Sequence, residues 1–354
     1  MSGRVLAVRL DNAGDVLLAG PALRAMAAAG RDLVALVSPQ GSHAARLLPG
    51  VADVIVWRCP WIDAAPAPVT AEDVSALLDE LRSAQFDEAL IFTSFHQSPL
   101  PTALLLRLAG IAVVGAISED YPGTLLDLRH RLDDDLPEAE RALSLASAAG
   151  YSLPSRDDGA LQVKRPLPDV ADLVGGGRYV VLHPGTSVPA RAWPPYRFAE
   201  TAVLLRENDW RVVVTGAPSE KTLTAAVAAG ADGIDLGGRT SMAQLAAVLA
   251  GADVVVVGNT GPAHLAAAVQ TPVVSLYAPT VPAVRWAPYR VPCVLLGDQQ
   301  AACRDTRAAS CPVPGHPCLA SVTADDVVRS VEKLVGSSSG PGLLGGDARE
   351  EQMR

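Results

Sequence analysis

Arg4-Val-Leu-Ala-Val-Arg-Leu-Asp-Asn-Ala-Gly-Asp-Val-Leu-Leu-Ala-Gly-Pro-Ala-Leu23 runs from an apolar strand pattern through a short polar turn into an apolar helix pattern. A strand passing directly into a helix is the unit from which parallel α/β sheets are built. The turn itself, Arg9-Leu-Asp-Asn-Ala-Gly-Asp15, holds two carboxylates, an amide and a single glycine. Phosphate-binding turns need several glycines, so that backbone N–H groups can close on the anion, and carboxylates there repel it. The turn is therefore read as a site of some other kind. The absence of Gly-x-Gly-x-x-Gly after the first strand also counts against a nicotinamide-dependent oxidoreductase.

The same rhythm continues along the chain. Strand patterns are expected at Val5–Leu10, Leu33–Val37, Val54–Val56, Ala89–Ile91 and Ala112–Ala116, with helices between them at Pro21–Ala29 and Ala71–Ala84. Thr70 precedes Ala-Glu-Asp and suits an N-cap followed by first-turn acids. Regularity fails between residues 150 and 177, where Pro and Gly crowd into Arg165-Pro-Leu-Pro and Gly175-Gly-Gly177, as in a linker. A second series then follows: Tyr179–His183, Arg211–Thr215, Gly233–Asp235, Asp253–Val257, Pro272–Leu276 and Val291–Leu296. This predicts two α/β domains facing each other across a cleft. The expected boundaries are 1–165, a linker at 166–178, a second domain at 179–335 and a disordered tail at 336–354.

Composition narrows the class. The 354 residues are 49% apolar, yet no uninterrupted run reaches the roughly 20 apolar residues that span a bilayer. Arg9, Asp11 and Asp15 break the stretch after Met1-Ser-Gly-Arg, so no signal-peptide core is expected and the chain reads as cytoplasmic. A net charge of −9 argues against a nonspecific nucleic-acid surface. The cations are 26 Arg against three Lys, and Arg's planar fork suits phosphate and carboxylate recognition. Five cysteines, an odd number, favour free thiols over a disulfide framework. Cys303, Cys311, His316 and Cys318 offer the ligand types of a Cys3His zinc site. They lack a close cysteine pair, however, so a Pro-rich loop is preferred and no metal is expected.

Four turns of the second half follow strand patterns, where parallel sheets bind ligands. His183-Pro-Gly-Thr-Ser187 offers small residues and hydroxyls, with Arg191-Ala-Trp-Pro194 close behind for a phosphate. Thr215-Gly-Ala-Pro-Ser-Glu220 brings a carboxylate suited to ribose hydroxyls. Gly238-Arg-Thr-Ser-Met242 leads into a helix that Thr240 or Ser241 could cap. Val257-Gly-Asn-Thr-Gly-Pro-Ala-His264 joins a valine strand to a helix with Pro in its first turn. Each is a common turn alone, but together they suggest a pocket for a nucleoside diphosphate.

Gly14-Asp15-Val16, Pro21-Ala22-Leu23, Arg191-Ala192-Trp193-Pro194 and Asn259-Thr260-Gly261-Pro262-Ala263-His264 together resemble the heptosyltransferase family, glycosyltransferase family 9, over residues 4–335. The resemblance implies a GT-B fold of two Rossmann-like domains, with acceptor on the N-terminal half and nucleotide sugar on the C-terminal half. It implies inverting, metal-independent transfer from ADP-heptose, with no further cofactor. Carried over by position, Asp15 is the general base, with Arg9 and Asn12 on the acceptor side. Thr186, Ser187 and Arg191 bind the diphosphate; Glu220 and Thr240 lie near ribose and base; Asn259, Thr260, Gly261 and His264 complete the donor site. Arg191 stands where the family commonly has Lys, and Asn259 where Asp is common. The acceptor implied is a lipopolysaccharide-core-like glycan or a natural product, met by a monomer that touches a membrane only peripherally. Transfer from another nucleotide sugar, or nucleotide-sugar binding without catalysis, are the alternatives. Asp11 reads as an N-cap or Asx-turn residue and Asp133–Asp135 as a solvated acidic turn.

Overall fold

The computed structural model describes residues 3–63, 65–132 and 135–338. Two six-stranded sheets form the frame. The first comprises β1 (Arg4–Arg9), β2 (Asp32–Val37), β3 (Val51–Val56), β4 (Phe86–Ile91), β5 (Val113–Ile117) and β6 (Leu128–His130), in the order β3-β2-β1-β4-β5-β6. The second comprises β7 (Tyr179–His183), β8 (Arg211–Val214), β9 (Ile234–Asp235), β10 (Val254–Gly258), β11 (Val273–Leu276) and β12 (Cys293–Leu296), in the order β12-β11-β10-β7-β8-β9. Every neighbouring pair is parallel. This is the GT-B architecture, two doubly wound sheets of the same winding order.

Strand chemistry explains why these segments pair. Val5 and Ala7 enter one apolar cluster while Leu6 and Val8 enter another, so β1 is covered on both faces. The four valines of β10 are fully buried, and β10 is paired on both sides, with β7 and β11. Covered parallel strands read as continuous apolar runs, and such runs are easily found in sequence. The edge strand β6, Leu-Arg-His and half-buried throughout, has no such run and was not expected. Thr70 does cap the helix Ala71–Ala84, accepting from the Asp73 N–H at 3.2 Å.

The two sheets share packing. One apolar cluster contains Leu17 and Leu23 from the first half together with Val181, Val257 and Leu265 from the second. Cross-links include Tyr289 donating to Glu140 at 3.1 Å and Gln270 donating to the Leu161 carbonyl at 3.4 Å. Residues 166–178, expected as a linker, carry the short helix Ala171–Val174. The last helix, Ala324–Ser338, takes residues 336–338 out of the expected tail; the remainder of that tail and Asp133 and Asp134 lie outside the described residues. Among the described residues no helix is long and apolar enough to cross a membrane.

In both sheets the winding reverses at the central pair, β1/β4 and β7/β10, which opens a crevice at the carboxyl ends of those strands. Residues 10–15, 92–98, 184–191 and 259–264 follow these four strands.

The segment after the first sheet is held by Arg24, whose Nε and Nη2 meet the Asp157 carboxylate at 2.6 and 2.8 Å, while Nη2 also donates to the Ala160 carbonyl at 2.7 Å. The Arg24 hydrogen bond holds the Asp157 carboxyl below its ordinary range. A depressed folded-state pKa stabilises above the unfolded value, and the gain is lost as pH falls through the folded one. Arg24→Met should therefore cost about 2–4 kcal/mol of unfolding free energy at pH 7. The gap to the wild type should narrow below about pH 3.5. Denaturant titration across that range checks both parts.

Candidate active site

The first turn folds around a buried cation. Arg9 ends β1 and is 4% exposed. Its Nε lies 3.0 Å from Asp11 Oδ2, and its Nη2 lies 3.1 Å from Asp15 Oδ1, 3.0 Å from Ser94 Oγ and 3.6 Å from Glu138 Oε2. Burial opposes charge on the guanidinium, but Asp11, Asp15 and Glu138 outweigh it and hold Arg9 above its ordinary value. Asn12 provides the N-cap position of the helix Ala13–Leu18, with extended φ, ψ and no capping bond from its side chain. It is exposed and stands outside the ion cluster. Asp11 is therefore neither N-cap nor Asx turn: it pairs with Arg9 and accepts from Gln97 Nε2 at 2.6 Å. Its burial pushes its carboxyl up to about 6 against the pull of Arg9.

Asp15 sits in the first turn of that helix, where the helix dipole favours a carboxylate. Its Oδ1 also accepts from Trp286 Nε1 of the second half at 3.4 Å. Beside this cluster lies a cavity of about 390 Å³ lined by Phe95, His96, Gln97, Arg141 and Arg285, among others. Arg285 stacks over Phe95 at 4.1 Å and pairs with Asp135 of the acidic run. Arg141 donates to the Thr93 carbonyl and stands 3.8 Å from Glu138. The His96 ring is pushed down to about 4 by burial and by Arg307. Gln97, Glu138, Arg141, Arg285 and Trp286 were not foreseen. Only the strand ending before Phe92 pointed to the loop that carries Gln97.

The second half meets this turn at very short range. A Cβ on Gly14 would lie 2.8 Å from His264 Cδ2 and 3.3 Å from the Gly261 Cα, so only glycine lets the two turns touch. Thr260 is the N-cap of the helix Gly261–Ala268, and its side chain makes no capping bond. His264 is 3% exposed, pushed down to about 4 by burial, with Nδ1 unpartnered among the described residues. Asn259, 4% exposed beside Tyr277, has an unpartnered Nδ2, and Arg191 an unpartnered Nε, among the described residues. Burial pulls the Arg191 guanidinium below its ordinary value. Buried donors left open at one crevice edge are what an anionic, hydroxyl-rich ligand would satisfy.

The other expected donor residues lie on neighbouring turns. A Cβ on Gly185 would overlap the Glu220 carboxylate, so that carboxylate is pressed against the 183–187 loop, and it also accepts from the Ala217 N–H at 2.7 Å. Thr186 Oγ1 accepts from the Val188 N–H at 3.3 Å; Ser187 is exposed. Ser241, not Thr240, caps the helix Met242–Ala250, in a capping box with Gln244. Thr240 is half-buried just before it. His316 Nε2 faces the Ala190 carbonyl at 3.1 Å, and Cys311 Sγ donates to the Val313 carbonyl at 3.4 Å. Among the described residues no group of three or more His, Cys, Asp or Glu is arranged to hold a metal ion.

Comparison with known proteins identifies the family. The family model of glycosyltransferase family 9 (heptosyltransferase) matches residues 74–315. The lipopolysaccharide heptosyltransferase 1 of Escherichia coli O18:K1:H7 is 27% identical, over 93% of this chain and 97% of its own. That of Pseudomonas aeruginosa is 30% identical, over 79% of each chain. Among solved structures, E. coli heptosyltransferase WaaC with ADP-2-deoxy-2-fluoro heptose superposes with a TM-score of 0.68 at 26% identity, over 93% of this chain and 99% of that one.

Gly14→Ala tests the contact between the halves. The added methyl should force the turns apart, lowering stability by about 1–3 kcal/mol. Turnover should fall at least about tenfold, since small misplacements of reacting groups are costly. Thermal unfolding and a rate assay on the same preparation measure both; unchanged values would show that the two turns do not pack this tightly in solution.

Proposed function

Because the chain belongs to glycosyltransferase family 9, the heptosyltransferases, we propose that it transfers a heptose from ADP-heptose to a hydroxyl of a lipopolysaccharide-core-like glycan. The reaction proceeds with inversion and without a metal ion. One observation carries the reading: Asp15 accepts from Trp286 of the second half at 3.4 Å, on the same helical turn whose Gly14 meets His264 and the helix start at Gly261. The names of the relatives support the donor and acceptor, since the proteins they describe act on lipopolysaccharide or hold an ADP-heptose analogue.

In this reading the acceptor lies in the cavity beside Arg141 and Arg285, and its hydroxyl oxygen attacks the anomeric carbon of the donor. Asp15 takes the hydroxyl proton as the new C–O bond forms. The bond to the diphosphate breaks, and ADP leaves with the electron pair. Arg191, Thr186, Ser187 and the Gly261 N–H at the helix start stabilise the charge that builds on the leaving oxygen. Glu220 and Thr240 hold the nucleoside, while Asn259 and His264 bind the sugar. A single displacement from the far face inverts the anomeric centre. The residues that answer the developing charge are guanidinium and backbone donors, so no divalent cation is assigned a role. Residues 1–165 carry the acceptor and 179–335 the donor, in a cytoplasmic monomer that meets its substrate at a membrane surface.

Calorimetry with ADP-heptose, UDP-glucose and GDP-mannose tests the donor. ADP-heptose should bind in the millimolar range or tighter and the other two more weakly; binding of none of them would sink the transferase reading. Asp15→Asn should leave ADP-heptose affinity within about twofold of wild type and lower turnover by roughly 10²–10⁴. Wild-type turnover in that variant would remove Asp15 as base.

A further inference from the structure

We propose that Glu138 is a positioning residue for Asp15: its buried carboxylate shares the Arg9 guanidinium with Asp15 and holds Arg141 at the edge of the acceptor cavity. The inference rests on the reading of Asp15 as general base.

Glu138 is the first residue of the helix Glu138–Ala148. An acid in a first helical turn usually faces water, where the dipole alone rewards it. This one is 2% exposed, and neither carboxylate oxygen has a hydrogen-bond partner among the described residues. Burying an ionised carboxylate without hydrogen bonds is expensive. Burial holds the Glu138 carboxyl above its ordinary range, and two guanidinium groups, Arg9 at 3.6 Å and Arg141 at 3.8 Å, offset part of that cost. Both are themselves largely buried, and neither could face the other across this gap without an anion between them. Glu138 thus ties the catalytic turn after β1 to a cation that lines the cavity.

The balance of charge gives the residue its effect. Arg9 and Arg141 stand against Asp11, Asp15 and Glu138, one negative charge in excess. Take Glu138 away and Arg9 Nη2 has Asp15 alone to answer, while Arg141 loses the anion that keeps it in place. A carboxylate that gains a larger share of a cation takes up a proton less readily. The groups facing Asp15 are Arg9, Asp11 and Glu138 on its own half, His96 from the loop after β4, and Arg191 and His264 from the second half. Those facing Glu138 are Arg9, Arg141, Asp11, Asp15 and Arg285. Glu138→Gln changes only one of these charges and keeps the side chain's size.

The experiment uses the full chain with ADP-heptose and heptose-free lipopolysaccharide as probes, following ADP release from pH 4.5 to 9. Glu138→Gln should lower kcat at least about tenfold and move the acid limb of kcat/KM down by about one pH unit. The acceptor KM should rise, and ADP affinity by calorimetry should stay within about twofold. Glu138→Asp keeps the charge but draws it back by one methylene, so its limb should move part of the way. That variant carries the test if Glu138→Gln does not fold. An unmoved limb in the folded variants, or equal losses in ADP affinity and kcat, would overturn the inference in favour of a purely structural role. Asp15→Asn is assayed alongside. If it retains turnover, the base reading fails and this inference fails with it. If it is inactive while the Glu138 variants keep the wild-type limb, only the role of Glu138 is lost.

Discussion

A guanidinium buried at the end of the first strand has to be answered by carboxylates, and the candidate site is arranged around that requirement. Arg9 cannot reach water, so Asp11 and Asp15 from its own turn and Glu138 from a distant helix are drawn to it. Their convergence shapes the turn after β1 and orients Asp15 toward the crevice. Gln97 and Ser94 bind the same cluster from the loop after β4. The two strands at which the winding reverses therefore meet electrostatically as well as through their ladder.

The second half follows a different logic. There the crevice edge is formed by buried polar atoms without partners: the donors Arg191 Nε and Asn259 Nδ2, and the ring nitrogen His264 Nδ1, among the described residues. One wall holds carboxylates gathered around buried guanidinium groups, and the other holds polar atoms that await a partner. A glycosyl transfer needs this asymmetry, because proton removal and leaving-group stabilisation ask for opposite electrostatics a few ångströms apart. The contact of Gly14 with His264 brings the two walls that close.

Much of the fold was legible because covered parallel strands leave continuous apolar runs, as in Val254–Val257, and because helices start at recognisable residues such as Thr70 and Pro262. The short edge strand Leu128–His130 escaped because an edge needs no such run. The turns at the crevice edge of the second half were legible for the same reason as the strands that they follow. The ion cluster of the first half was not. Glu138 lies far along the chain from Asp15 and reads locally as an ordinary first-turn acid, while Trp286 and Arg285 come from the opposite half. Such residues acquire meaning only when tertiary packing joins distant segments, and no spacing in one sequence records that. Asp11 was misread for a related reason: a local turn role is the commoner use of Asp at such a place, and its partner Arg9 gives no sign in sequence of being buried.

Among the described residues, the cations around the crevice include Arg9, Arg141, Arg191, Arg285 and Arg307, all guanidinium groups. Lys164, Lys221 and Lys333 are the only amines among the side chains. A guanidinium keeps its proton through any pH at which a protein stays folded, whereas a buried lysine readily gives its proton up. Positive potential in the crevice is consequently a constant of the molecule. Acidity can retune its ionic state only through carboxylates and imidazoles, and reagents that acylate amines would leave its cationic lining untouched.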